Sequence, residues 1–179
     1  MRKAWIWLAV VIALARPAAA DALRLYSYDP LDDETRTVAG PLTFEFRQGL
    51  FSLTLISVRA TEAKATAFLK TAGERALGPG GLKPLIGEAP QRDLYEVLQG
   101  EEGAAMIAAF CPGAKRAWMA FGRPRLSRDL RVYVLGTSPQ GGEVHVCHKL
   151  NFSFHGAWRS PPANKTPPPI TVESPLPRY

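Results

Sequence analysis

Thr61–Leu77 reads TEAKATAFLKTAGERAL, and its interpretation decides the fold class. The stretch is rich in good helix formers, and Ala65, Phe68, Leu69, Ala72 and Ala76 fall on one face at spacings of three, four and seven. Thr61 stands where an N-cap belongs, and Gly78-Pro79-Gly80-Gly81 stops the run. The apolar stripe is narrow and Ala-rich, which suits close packing on a sheet better than a free amphipathic membrane helix. One main helix against a sheet is the expectation.

Upstream, Leu42–Leu55 reads as a hairpin about Gln48-Gly49, with Phe46 opposite Phe51, Phe44 opposite Leu53 and Leu42 opposite Leu55, all on one face. Leu23–Tyr28 (LRLYSY) alternates apolar and polar and forms a first strand, followed by a solvated acidic loop, Asp32-Asp33-Glu34. That loop lacks the spacing of a calcium site. Downstream, 82–103 is punctuated by Pro and Gly, with Leu94–Leu98 a short strand or a turn of helix. Four more strands follow at Ala104–Cys111, Ala117–Gly122, Leu130–Leu135 and Val144–Phe154, which suggests a meander. The fold class expected is therefore α+β: a single domain over 21–159 with an antiparallel sheet of about six or seven strands, one main helix and one disulfide.

Residues 1–20 are set apart by Arg2 and Lys3, an apolar run from Ala4 to Ala15, and Ala18-Ala19-Ala20, the pattern of a signal peptide cut near Ala20/Asp21. The apolar run is too short to span a bilayer. A periplasmic or secreted protein with no transmembrane segment after leader cleavage is expected. The end from Ser160 to Tyr179 carries seven prolines and is expected to be an extended or disordered tail.

Removing Arg2, Lys3 and Arg16 with the leader leaves 19 basic against 16 acidic groups, so the net charge falls from +6 to +3. What remains is unevenly spread. Residues 21–114 hold 9 basic and 13 acidic groups, and 115–179 hold 10 and 3. A basic C-terminal half attracts anions whatever the fold. Its densest run contains Arg123, Arg125, Arg128 and Arg131, the expected anion-binding residues, with Lys115 and Arg116 at the far end of the intervening strand.

Cys111 and Cys147 are the two cysteines, and export places them where an oxidant joins them. By strand parity both fall on the face away from the main apolar one. His145-Val146-Cys147-His148 invites a metal test, because imidazole and thiolate are the usual zinc ligands. On a strand His145 and Cys147 project together, His148 projects to the reverse side, and His155 lies too far along, so only two ligands converge. No metal and no cofactor is expected. His148, on an otherwise apolar face, reads as a hydrogen-bonded core histidine.

No serine-hydrolase elbow, zinc-protease, phosphate-loop or dinucleotide motif is present. Gly136–Gly142 joins two strands and lacks the helix that would hold phosphate. The function expected is that of an exported, non-enzymatic cell-envelope protein binding an anionic polymer or a protein partner through its basic C-terminal half. Nucleic acid is a poor match to the modest charge. Two other readings stand beside it. One is a small secreted hydrolase using carboxylates within 88–102, namely Glu88, Asp93, Glu96, Glu101 and Glu102; the other is a disulfide-braced protease inhibitor.

Overall fold

The computed structural model describes residues 22–49, 52–87, 93–139 and 142–160. Residues 1–20, read above as a signal peptide, and the proline-rich stretch 161–179 lie outside them. Eight antiparallel strands, each bonded to its sequence neighbour, close into a barrel: β1 Ala22–Pro30, β2 Leu42–Gln48, β3 Leu53–Ala60, β4 Ala65–Ala72, β5 Asp93–Val97, β6 Ala117–Phe121, β7 Leu130–Thr137 and β8 Val144–Arg159. β1 pairs with β8 to complete the ring. The helices are α1 Asp33–Val38, α2 Lys83–Ile86 and α3 Glu101–Phe110, with a 3₁₀ turn at Glu74–Leu77. Among the described residues no helix is long and apolar enough to cross a membrane.

The barrel replaces the expected α+β layering, and the stretch 61–77 is where the two part. Thr61–Lys64 is a turn, and Ala65–Ala72 is a strand whose Ala65, Ala67 and Leu69 point inward and are buried while Phe68 and Lys70 face out. Helix preference separates these residue types by only tenths of a kcal/mol each. As a strand, the segment hydrogen-bonds β3 on one edge and β5 on the other, so no sheet edge stays open.

A second exchange runs the other way. Ala104–Cys111 was expected as a strand because Met106, Ala108 and Phe110 alternate, yet Glu101–Phe110 is a helix. It buries Gly103, Met106, Ile107 and Phe110 on one face and exposes Ala104, Ala105 and Ala108 on the other, a period of 3.6. Glu101 and Glu102 sit in its first turn, where carboxylates complement the helix dipole. At Gly103 a Cβ would lie 1.9 Å from the Leu98 carbonyl oxygen. Gly→Ala inside a helix ordinarily stabilises by about 1 kcal/mol; Gly103→Ala is expected instead to destabilise by roughly 1–3 kcal/mol through this overlap. A raised urea midpoint for that variant would contradict the close approach.

The hairpin forms with a different register. Gln48 pairs with Leu53 and Phe46 with Leu55, a bulge follows, and Phe44 then meets Val58 and Leu42 meets Ala60. Gly49 N–H donates to the Ser52 carbonyl at 2.9 Å, and Phe51, expected opposite Phe46, lies outside the described residues. Leu42, Phe44, Phe46, Leu53 and Leu55 nevertheless share the inner face as expected. Leu94–Leu98 resolves as strand β5.

The two ends of the barrel differ. One end holds the β1–β2, β3–β4, β5–β6 and β7–β8 connections, and α3 plugs it by adding Met106, Ile107 and Phe110 to the interior cluster. There Asp32-Asp33-Glu34 opens helix α1 and is not the loop expected, though Asp33 and Glu34 are exposed as expected. Asp32 Oδ1 accepts the Thr35 N–H at 2.7 Å, Asp32 Oδ2 accepts from Asn151 Nδ2 at 2.9 Å, and Glu34 meets His148 Nδ1 at 2.8 Å. His148 is thus hydrogen-bonded at the rim, with 23% of its side chain exposed.

The Thr35 backbone N–H, then the Asn151 amide, then the Thr35 side chain hold the Asp32 carboxyl below its usual range against a smaller opposing effect of burial. A lowered folded-state value means the stabilisation is full above about pH 4 and fades as pH falls through that value. Asp32→Ala should cost about 1 kcal/mol at pH 7 as a lost N-cap. The gap to the parent should narrow below pH 4, as read from urea midpoints; a constant gap would contradict the capping role.

At the other end the β4–β5 connection folds down the outside of the wall. Leu77 and Leu82 pack there with Leu94, Trp118, Ala120, Tyr133, Leu135 and Val144 in a second core. Because α2 and the 3₁₀ turn cover the wall, no described helix roofs this end.

Candidate functional site

Alternation along the strands brings an aromatic floor and a charged rim together at the unroofed end. Phe121 and Phe44 are fully buried, their rings 5.1 Å apart, and Tyr95 stacks on Phe121 at 5.0 Å and 19°. Tyr26 lies 5.0 Å from Phe46 beside them. Above this layer opens a cavity of about 670 Å³ lined by Phe46, Leu53, Asp93, Tyr95, Gly122, Arg123, Pro124 and Arg125. A second hollow of about 310 Å³, which includes Arg24, Gln48 and Ser52, shares Leu53 and Arg123 with it. Arg24 Nε donates to Gln48 Oε1 at 2.5 Å, which fixes one guanidinium at the rim.

Each polar group has a local reason for its position. Arg24 pairs with Phe46 across β1–β2, and Asp93 with Phe121 across β5–β6, so both point to the inner side near the open end. Arg123 and Arg125 follow β6 directly, in the connection that crosses the mouth. Burial, and next the Asp93 charge, push the Tyr95 phenol above its usual value, while Arg123 pulls it back in part. Tyr95 therefore stays a neutral hydrogen-bond donor throughout the physiological range.

The structure divides the basic run. Arg123 and Arg125 line the cavity. Arg131 points outward from β7, exposed, with its Nε bonded to Asn151 Oδ1 at 3.0 Å, and Arg128 is exposed in the β6–β7 connection without lining the mouth. Arg116, at the plugged end, reaches Glu96 Oε1 through Nε at 3.0 Å and Nη2 at 2.6 Å and lies over the Trp118 ring. Its charge is thereby matched.

The carboxylates of 88–102 do not gather. Asp93 is on the inner side of β5 and Glu96, bound to Arg116, is on the outer side. Glu101 and Glu102 are exposed at the start of α3 on the opposite end, and Glu88 lies outside the described residues. Among the described residues no pair from this segment shares the cavity.

Cys111 and Cys147 are joined, with a Cα–Cα distance of 5.4 Å. The route differs from the expected one: Cys111 caps the C-terminus of α3, so the bridge ties the plug to β8 and does not link two strands of a meander. Gly136 is part of β7, not the hairpin loop, and lies beneath the bridge. A Cβ there would stand 2.2 Å from Cys111 Sγ. His145 Nε2 lies 3.7 Å from Cys147 Sγ.

Of the residues around the mouth, Arg24 and Tyr95 were not singled out from sequence, Phe46 and Leu53 were read only as hairpin core, and Asp93 only as a hydrolase carboxylate. A signal existed for two of them. In LRLYSY, Arg24 has the parity of the inward tyrosines, and in Asp93–Val97, Asp93 has the parity of Tyr95 and Val97, so each is a charge on an apolar face.

Fold and site together define an up-and-down eight-stranded barrel, plugged at one end and opening at the other onto an aromatic floor ringed by arginines. The scan of family models finds no match, and the comparisons with curated proteins and with solved structures find none either.

Proposed function

We propose that this protein is an exported, non-enzymatic binding module whose barrel mouth takes a small amphipathic anion. The single observation that carries the reading is the placement of Arg123 and Arg125 over a cavity of about 670 Å³ floored by Phe46, Leu53 and Tyr95. A volume of this order suits a small ligand, and closed eight-stranded barrels either fill completely or hold one such molecule. Guanidinium groups favour a carboxylate or phosphate head through paired, charge-assisted hydrogen bonds. Below them the rings of Phe46 and Tyr95 and the Leu53 side chain suit an alkyl or aromatic body, with the Tyr95 hydroxyl a further donor and the Asp93 carboxylate in the same lining. The expected partner thus narrows from any anionic envelope polymer to a small anion with an apolar end, because the basic groups facing one another do so across a cup and not along an open stripe.

Calorimetric titration with octanoate, octyl phosphate and octanol tests this reading. The two anions should bind at one site per chain. Octanol, of the same length without the charge, should bind about tenfold or more weaker, since hydrogen bonds to charged groups contribute roughly 1.5–3 kcal/mol. Equal affinity for all three, or heat from none, would contradict the proposal.

A further inference from the structure

We infer that reduction of the bridge turns Cys111, Cys147 and His145 into a three-donor site for a zinc-like ion, at the plugged end and separate from the mouth. The donor atoms of these three residues all lie within 4.8 Å of one another. A tetrahedral zinc site, with bonds of about 2.3 Å to sulfur and 2.0–2.1 Å to nitrogen, has nitrogen–sulfur edges of roughly 3.6 Å and sulfur–sulfur edges of roughly 3.8 Å. The His145–Cys147 separation of 3.7 Å is already such an edge. Once unbonded, the two sulfurs need only move apart from a bonding distance of about 2.0 Å by side-chain rotation.

Two features beside the donors bear on an ion. Both sulfurs lie over Gly136, where the absence of a Cβ leaves them the space they occupy. His145 is exposed, so the fourth position opens to water, the arrangement of a three-ligand site with one exchangeable place. Cys111 is the donor that a strand reading of 104–111 hides. As the residue following α3, it arrives from across the barrel end to complete what His145 and Cys147 begin on β8.

The chemistry balances with a dithiol as the natural class of reductant. Two electrons and two protons pass to the bridge, giving two thiols, while the dithiol becomes a cyclic disulfide. Binding of the ion then displaces both thiol protons to solvent, and neutral His145 donates its Nε2 lone pair. The ion would hold the end of α3 against β8 as the bridge did. The plug would then stay fastened in either redox condition.

The test uses the full chain, reduced with a water-soluble phosphine, freed of excess reagent without air, and titrated with Co²⁺. One equivalent should produce a thiolate-to-cobalt charge-transfer band with the visible bands of tetrahedral cobalt, and Zn²⁺ should displace it. The oxidised protein should show neither band. His145→Ala alters an exposed side chain and leaves both sulfurs, so it should fold and bind Co²⁺ at least about tenfold more weakly. Should reduction loosen the fold, recovery of near-ultraviolet circular dichroism on adding Zn²⁺ supports the site, and failure to recover it counts against it. No cobalt band in the reduced protein, or equal affinity in His145→Ala, overturns the inference.

Discussion

Replacing Cys111 by Ala and Cys147 by Ser together is expected to lower the free energy of unfolding by about 4 kcal/mol, the chain-entropy value for a loop of this length. The sequence separation is 36 residues. Ala suits position 111 because that side chain is 1% exposed and a hydroxyl there would be buried. In a domain whose total stability is about 5–15 kcal/mol, the loss is a large share and should drop the melting temperature by roughly 10–15 °C. The effect should concentrate at the plugged end, since the bridge fastens the residue just beyond Phe110, and Phe110, Met106 and Ile107 fill the barrel there. Gly136→Ala should act in the same direction with both cysteines intact, because its Cβ would occupy the space of Cys111 Sγ. A double variant that melts within a degree or two of the parent would show that the bridge braces nothing.

Arg123→Glu with Arg125→Glu should weaken octanoate binding by more than a hundredfold. Each arginine contributes a charge-assisted interaction of roughly 1.5–3 kcal/mol, and reversal adds repulsion at a site whose floor offers an anion no compensating donor except Tyr95. Both residues are exposed, so stability should change by no more than about 0.5 kcal/mol. Arg128→Glu with Arg131→Glu makes the same change in net charge within the same run, on side chains that do not line the cavity. That control should leave affinity within about threefold. If both pairs weaken binding equally, the anion is held by the general field of the basic half and the mouth has no special part in it.

The strands β1 and β2 were legible from alternation, and β6, β7 and β8 as apolar runs between turn signals, although β6 and β7 are buried on both faces; the cysteine pairing followed from the number of cysteines and the expected export. The closure of the ring was not. Ala65, Ala67 and Leu69 carry the inward period of two, but alanine is also the best helix former, so local preference and tertiary placement disagree over that stretch. The same ambiguity reversed at 104–110, where small alanines between Met106 and Phe110 let a helix face imitate an alternating strand. Once both segments are exchanged, eight strands can close and an end can be plugged. The mouth is harder still to read, because its residues come from β2, β3, β5 and the β6–β7 connection; Arg123 and Arg125 stood out in one dimension as part of a charge run, and Asp93 only as one carboxylate among five.

Where a bound anion sits can be mapped directly by following backbone amide resonances during an octanoate titration of the oxidised protein. Saturable shifts are expected at Leu53, at Asp93–Tyr95 and at Gly122, Arg123 and Arg125, with α3 and His145 undisturbed. Shifts confined to Lys115, Arg116 and the plugged end, or no saturable shift at all, would contradict the assignment of the open mouth as the binding site.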